Sequence, residues 1–230
     1  MAKTATAERV AAVSRTAAQL SFAAAATLVV LLAALHLIKP ELDPAWRFIS
    51  EYSIGDHGWI MVLAFLSFAV GYVALFIAIR SQPRTISGRI GLVLLLVSAA
   101  GLAVAGVFTT DPITASKDAV TTTGKLHSLG GTLGIAMPIA AALISWNLAR
   151  NPAWSAARRS LLAAAGLAVV AFLVSSVSSG VMLSQHDGKF GPEVLVGWPN
   201  RVEVLAYSVW LMTVAWHAIQ LRSQEAHVHI

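Results

Sequence analysis

Apolar residues in this chain run in blocks rather than in alternation. Six stretches, Leu20–Ile38, His57–Ile79, Ile90–Phe108, Leu126–Leu148, Ser160–Leu183 and Val202–Leu221, are nearly free of charge. Each is close to the roughly 20 residues that a helix, rising 1.5 Å per residue, needs to cross a ~30 Å hydrocarbon core. The pattern predicts an all-α protein, a polytopic bundle of six transmembrane helices. A polar tail over 1–17, a membrane domain over 18–222 and a second tail over 223–230 follow from the same boundaries. An even number of spans puts both termini on one side. The basic start before the first block resembles a signal peptide, but any Ala-x-Ala cleavage site falls inside the apolar run. The block therefore reads as a retained helix.

Composition agrees with the blocks: 57% of the 230 residues are hydrophobic and 12% charged, about half the charged fraction of a soluble domain. Cysteine is absent, which excludes disulfides, thiolate nucleophiles and Cys-ligated zinc or iron–sulfur sites. The isoelectric point near 10 would suit a nucleic-acid partner only if the basic residues clustered. They are instead scattered in short turns, which fits a topology signal, and no nucleic acid is expected. The two tails and the turns over 80–89 and 150–159 hold ten Lys/Arg and two acids; the other three connections hold six Lys/Arg and nine acids. By the positive-inside rule the first set, with both termini, is cytoplasmic. The expected location is a membrane crossed several times, with membrane lipids as partners.

That orientation concentrates the chemistry on the outer side. The first outer connection begins with Pro40 and Pro44, which stop the first helix because a proline nitrogen cannot donate. Ala45–Ser53 can then form a short amphipathic helix, with Trp46, Ile49 and Ser53 on one face and Arg47 paired to Glu51 at i, i+4. It is read either as an interfacial anchor or as a source of Ser50, Glu51 and Tyr52 for a site. The third block holds Ser98, Gly101 and Ala105 at spacings that permit close helix approach. It ends in Thr109-Thr110-Asp111-Pro112, where Asp111 either caps the turn or contributes a carboxylate.

His127 opens the fourth block and shares a face with Gly130 and Gly134, leaving room for a partner helix, a lipid chain or a small ligand. Pro138 is placed to kink that helix. Ionisable groups at membrane depth are costly and default to functional candidates. The serines over 175–179 either bond back to their own helix or line a polar cavity. Asn200 and Glu203 fit a capping box at the start of the last helix. Arg201, beside them, needs an acidic partner, with Asp111 and Glu51 available, or an anionic ligand. Trp216, His217 and the tail with His227 and His229 read as interfacial anchors and a loose end.

Several of these stretches together resemble one family. Ile49-Ser50-Glu51-Tyr52 with Gly55, Gly58-Trp59-Ile60-Met61, Gly106 to Pro112, Leu126-His127 to Gly131, and Arg201 at the start of the last helix are similar to domain-of-unknown-function family 998, six-helix prokaryotic membrane proteins. The resemblance covers about residues 20–222 and extends more distantly to the FRAG/DRAM/Sfk group. It implies a six-helix fold in a prokaryotic inner or plasma membrane and this set of residues, and it implies no reaction. Asn200 departs from the acidic residue expected before the arginine.

Three functional classes fit the residues. The first is a membrane protein with an outward-facing polar pocket at the outer leaflet boundary, built from Ser50, Glu51, Tyr52, Asp111, His127 and Arg201, that binds a lipid or small anionic ligand. The second is a membrane-embedded hydrolase or transferase in which His127 is general base or metal ligand, Asp111 orients it or shares the metal, Ser50 is the nucleophile and Arg201 holds a phosphate or oxyanion. No Gly-x-Ser-x-Gly elbow or HExxH motif accompanies these residues. The third is a b-type haem electron carrier with His36 and His127 as axial ligands. Neither the ligand, nor any metal or cofactor, is named by the sequence.

Overall fold

The computed structural model describes residues 13–228, with side chains to Leu221. Lys3 and Arg9 of the N-terminal tail, His229, and the side chain of His227 lie outside the described residues. The described chain is helical, without strands. Its principal helices are α1 (Arg15–Ile38), α2 (Gly58–Ile79), α3 (Ile86–Val107), α4 (Thr122–Leu133), α5 (Ala136–Ala149), α6 (Arg158–Gln185) and α7 (Gly197–Val228). With α4 and α5 taken together they supply six helical stretches long and apolar enough to cross a membrane, the last ending at Leu221. The segment expected as a C-terminal tail thus begins as a continuation of α7.

Local chemistry sets the helix ends. Ser14, Thr85 and Thr121 cap α1, α3 and α4 by accepting from Ala17, Gly88 and Gly124 N–H, which satisfies donors that have no acceptor within the helix. The fourth span is broken at Gly134–Ile135. Pro138 has no N–H to give to the Gly134 carbonyl, four residues back, and its ring crowds that carbonyl. The Gly134 carbonyl instead accepts from Met137 N–H at 2.9 Å. The kink expected from Pro138 therefore becomes a complete interruption one turn upstream.

With α4 and α5 counted as one span, the helices form a ring in which each packs on its neighbours in sequence and α1 closes against α7. Close approach is greatest where α3 crosses α4. A Cβ on Gly130 would stand 2.5 Å from the Gly101 carbonyl oxygen, and one on Gly101 would stand 2.6 Å from that of Gly130. The space beside Gly130 thus belongs to a partner helix. Buried polar contacts add to the packing: Trp154 Nε1 donates to Gln82 at 3.0 Å, tying two turns at the other end of the bundle, and Trp210 Nε1 of α7 donates to Ser145 of α5 at 2.9 Å. His217, expected as an interfacial anchor, shares a 2.8 Å hydrogen bond with Ser160. Outward-facing positions such as Val30, Val93 and Val177 remain exposed, the arrangement a lipid-facing surface requires.

The first long connection is not an amphipathic helix over 45–53. Only Ile49–Ser53 is helical, as one 3-10 turn, and it is drawn into the bundle with Ile49, Glu51, Tyr52 and Ser53 buried. Four hydrogen bonds hold it there. Lys39 Nζ donates to the Tyr52 and Ile54 carbonyls. Asn200 Oδ1 accepts from Ile49 N–H at 3.1 Å. The Ala45 carbonyl accepts from Gly197 N–H at 2.9 Å.

Candidate functional site

The long connections gather at one end of the bundle, and three buried ionic groups organise it. Glu51, 2% exposed, accepts from Arg47 Nη1 at 2.7 Å, from Phe48 N–H at 3.2 Å and from Ile113 N–H at 3.0 Å. One carboxylate thereby joins the first connection to the second. The expected Arg47–Glu51 pair is present, and it is the ion pair found among the described residues.

Arg201, also 2% exposed, has no carboxylate partner. Its Nε donates to His36 Nε2 at 2.8 Å, Nη1 to the Arg47 and Gly197 carbonyls at 2.7 and 3.0 Å, and Nη2 to the Tyr52 hydroxyl at 3.2 Å. The expected pairing with Asp111 or Glu51 does not form, because the guanidinium is surrounded by neutral acceptors from α1, α7 and the first connection. Lys39, a buried cation unremarked in the sequence, is solved the same way by backbone carbonyls.

These bonds fix the state of His36. Its Nδ1 lies 2.7 Å from the Leu32 carbonyl and must be the donor there. Its Nε2 must accept from Arg201, since a guanidinium only donates. Neither nitrogen has a lone pair open to iron, so the bis-histidine haem arrangement with His127 loses its first ligand. Among the described residues no group of three or more His, Asp or Glu is arranged to hold a metal.

His127 is placed differently. Its Nδ1 lies 2.9 Å from both the Ala105 and Phe108 carbonyls, two acceptors left over at the end of α3, so the ring caps that helix. Asp111 does not orient it. That carboxylate accepts from Thr121 N–H and Thr121 Oγ1, both at 2.8 Å, and leans over Gly124, where a Cβ would meet Asp111 Oδ2 at 2.0 Å. Asp111 therefore closes the second connection onto the start of α4, as the turn-capping reading expects. A Ser50–His127–Asp111 triad does not assemble.

Two cavities meet around His127. One, about 370 Å³, opens among the connections and is lined by Ser50, Glu51, Asp111, Ser128 and His127. The other, about 230 Å³, lies inside the helix ring and is mainly apolar, with Leu28, Phe65, Phe68, Leu102 and Phe172 in its wall. They share Phe48, Ser50 and His127. Among the described residues, His127 Nε2 and Ser50 Oγ have no hydrogen-bond partner. Tyr52 and Arg201 line neither cavity.

The inner cavity adds groups that sequence reasoning passed over. Glu203 is not part of a capping box, because α7 already begins at Gly197, with Pro199 tolerated in its first turn. Glu203 instead accepts from the Tyr207 hydroxyl at 2.8 Å, one turn along, with Ser175 as a second hydroxyl near the carboxylate. Glu203, Tyr207, Tyr72, Ser98 and Asn200 all line this cavity. The signal available in the sequence was an acid inside an apolar block with a tyrosine at i+4.

The order and spacing of the motifs over these elements correspond to a family model matching residues 22–217, described as a protein of unknown function, DUF998. The chain belongs to the DUF998 family. It has six helices able to span a membrane, so a multi-pass membrane protein in a lipid environment is the supported description of this DUF998 chain. Neither a curated protein nor a solved structure matches it. The family match does not extend to the FRAG/DRAM/Sfk group or to a prokaryotic origin.

Proposed function

We propose that this DUF998 protein binds an amphipathic membrane ligand, a lipid or a lipid-like small molecule, in the paired cavities. The supporting observation is the junction itself: a polar cavity among the connections and an apolar one within the ring share His127 and Ser50 as common wall. An amphipathic molecule satisfies both, its polar group at His127 Nε2 and Ser50 Oγ and its hydrocarbon beside Phe65, Phe68 and Leu102. The positive-inside distribution of charge supports an outward-facing mouth. Arg201, engaged by neutral acceptors elsewhere, no longer argues for an anionic ligand. The acids in the walls, Glu51, Asp111 and Glu203, favour a neutral or hydrogen-bond-donating polar group.

Lipid extraction and mass spectrometry of the purified protein test this reading. A defined species is expected to co-purify with the wild type and to be lost in Ser98→Phe, which fills the apolar cavity, and depleted in His127→Ala. Equal recovery of bulk lipid from all three proteins would overturn the proposal.

One observation favours a second reading, catalysis on the bound molecule: Ser50 and His127 each bring an uncommitted polar atom to the same wall. The carbonyls of Ala105 and Phe108 would then fix the imidazole tautomer that a carboxylate fixes in a triad. Ser50→Ala separates the readings, since it stops turnover of the co-purified molecule if there is any and leaves retention intact.

A further inference from the structure

One carboxylate in the inner cavity is left without an opposite charge. Glu203 accepts from the Tyr207 hydroxyl and forms no ion pair among the described residues. No lysine or arginine among them stands in the cavity wall. Arg201, two residues earlier on α7 and so about 200° round the helix, is committed to neutral acceptors elsewhere. Tyr72 adds a second, independent vacancy in the bonding. It is 1% exposed, lines the same cavity and lies within electrostatic reach of Glu203, yet its hydroxyl has no hydrogen-bond partner among the described residues. A carboxylate beside an unpartnered hydroxyl in an apolar wall is matched by a group that donates hydrogen bonds and carries positive charge.

The surrounding wall selects among cations. Phe65, Phe68 and Phe172 line the cavity with Tyr72, and the Phe68 and Tyr72 rings pack together with centroids 4.7 Å apart. Aromatic faces attract an ammonium and also pack against the hydrocarbon that carries it. A metal ion needs a shell of oxygens, which a wall of rings does not supply. Depth separates this place from the shared wall of the two cavities. Phe65 packs edge-on against His127, and Tyr72 follows Phe65 by two turns of α2, about 10 Å further into the ring.

We propose that the inner cavity binds the protonated amino group of a lipophilic amine. The ammonium donates to the Glu203 carboxylate and to the Tyr72 hydroxyl, and the apolar remainder is held among Phe65, Phe68 and Phe172. This inference rests on the reading of the paired cavities as a ligand site, and it narrows the class of ligand they take.

The test is isothermal titration of the purified protein, in a neutral maltoside detergent, with two probes of one shape. Phenethylamine is protonated at neutral pH, and 2-phenylethanol is its neutral counterpart. The wild type is expected to bind the amine about tenfold more tightly than the alcohol. E203Q is expected to lose that preference while still binding the alcohol, and S98F, which fills the cavity, to lose both probes. Equal affinities in the wild type, or a preference that survives E203Q, would overturn the amine and leave the paired cavities standing as a ligand site. Binding of neither probe would overturn it as well, and the species that co-purifies with the protein then judges the paired cavities separately. If E203Q does not fold, Y72F carries the comparison, because it removes no hydrogen bond among the described residues. It is expected to weaken the amine about threefold and the alcohol little, and an unchanged amine affinity would sink the proposal.

Discussion

Arg201 shows how a buried charge is made tolerable here without an opposite charge. Removing a cation from water costs several kcal/mol unless its donors are matched, and each of its three nitrogens meets at least one neutral acceptor. Geometry matters more than charge in such a setting. Lysine at 201 keeps the charge but presents one nitrogen where the guanidinium presents three. His36 Nε2 and the Tyr52 hydroxyl then cannot both be reached. Arg201→Lys is therefore expected to destabilise the protein by about 3 kcal/mol, whereas Tyr52→Phe, which removes a single 3.2 Å contact, costs about 1 kcal/mol. Thermal unfolding in detergent checks both values. A lysine variant as stable as the wild type would mean that the charge, and not the fork, is what this position requires.

At the scale of elements, two adjacent glycines separate helix packing from helix propensity. Gly130 lies against the α3 backbone, so Gly130→Ala must push α4 away from Gly101 and is expected to cost about 1–3 kcal/mol. At Gly131 an added Cβ meets nothing within 4 Å, so Gly131→Ala is expected to be neutral or to stabilise by up to about 1 kcal/mol through helix propensity. Paired melting curves decide this, and similar losses at both positions would refute the crossing geometry. The six spans, the close approach at Gly101 and a distortion of the fourth span by Pro138 were legible in the sequence because they depend on local composition and backbone chemistry, although a kink rather than a break was expected. The partners of polar groups were not. Asn200–Glu203 looks like a capping box, but helix α7 starts three residues earlier, where Gly197 is anchored to Ala45 in another connection. Asp111 was ambiguous for the same reason, and its carboxylate turned to the Thr121 cap. The site residues Ser50 and His127 share a wall only because the Ile49–Ser53 turn is pulled inward, through contacts from Lys39 and Asn200 that no local pattern announces.

For the whole molecule, the deciding quantity is which end of the ring faces out, since that determines which side of the membrane the paired cavities face. The short turns and tails carry a net charge of +8 and the long connections −3, counted over the full sequence. Inward retention of Lys and Arg follows such an asymmetry when the connections are short, and acids contribute little to it. The basic excess here is spread over four segments, so no single substitution should invert the protein. Because the chain has no cysteine, one introduced thiol reports its own location without background. Thr114→Cys and Lys117→Cys, exposed beside the polar cavity, are expected to react with a membrane-impermeant maleimide in intact cells. Ser155→Cys, exposed in the turn after α5, is expected to react only after permeabilisation. The reverse pattern would turn the cavity mouth toward the cytoplasm. The helix ring would stand unchanged, but the ligand sought at His127 would then have to come from the inner leaflet or the cytosol.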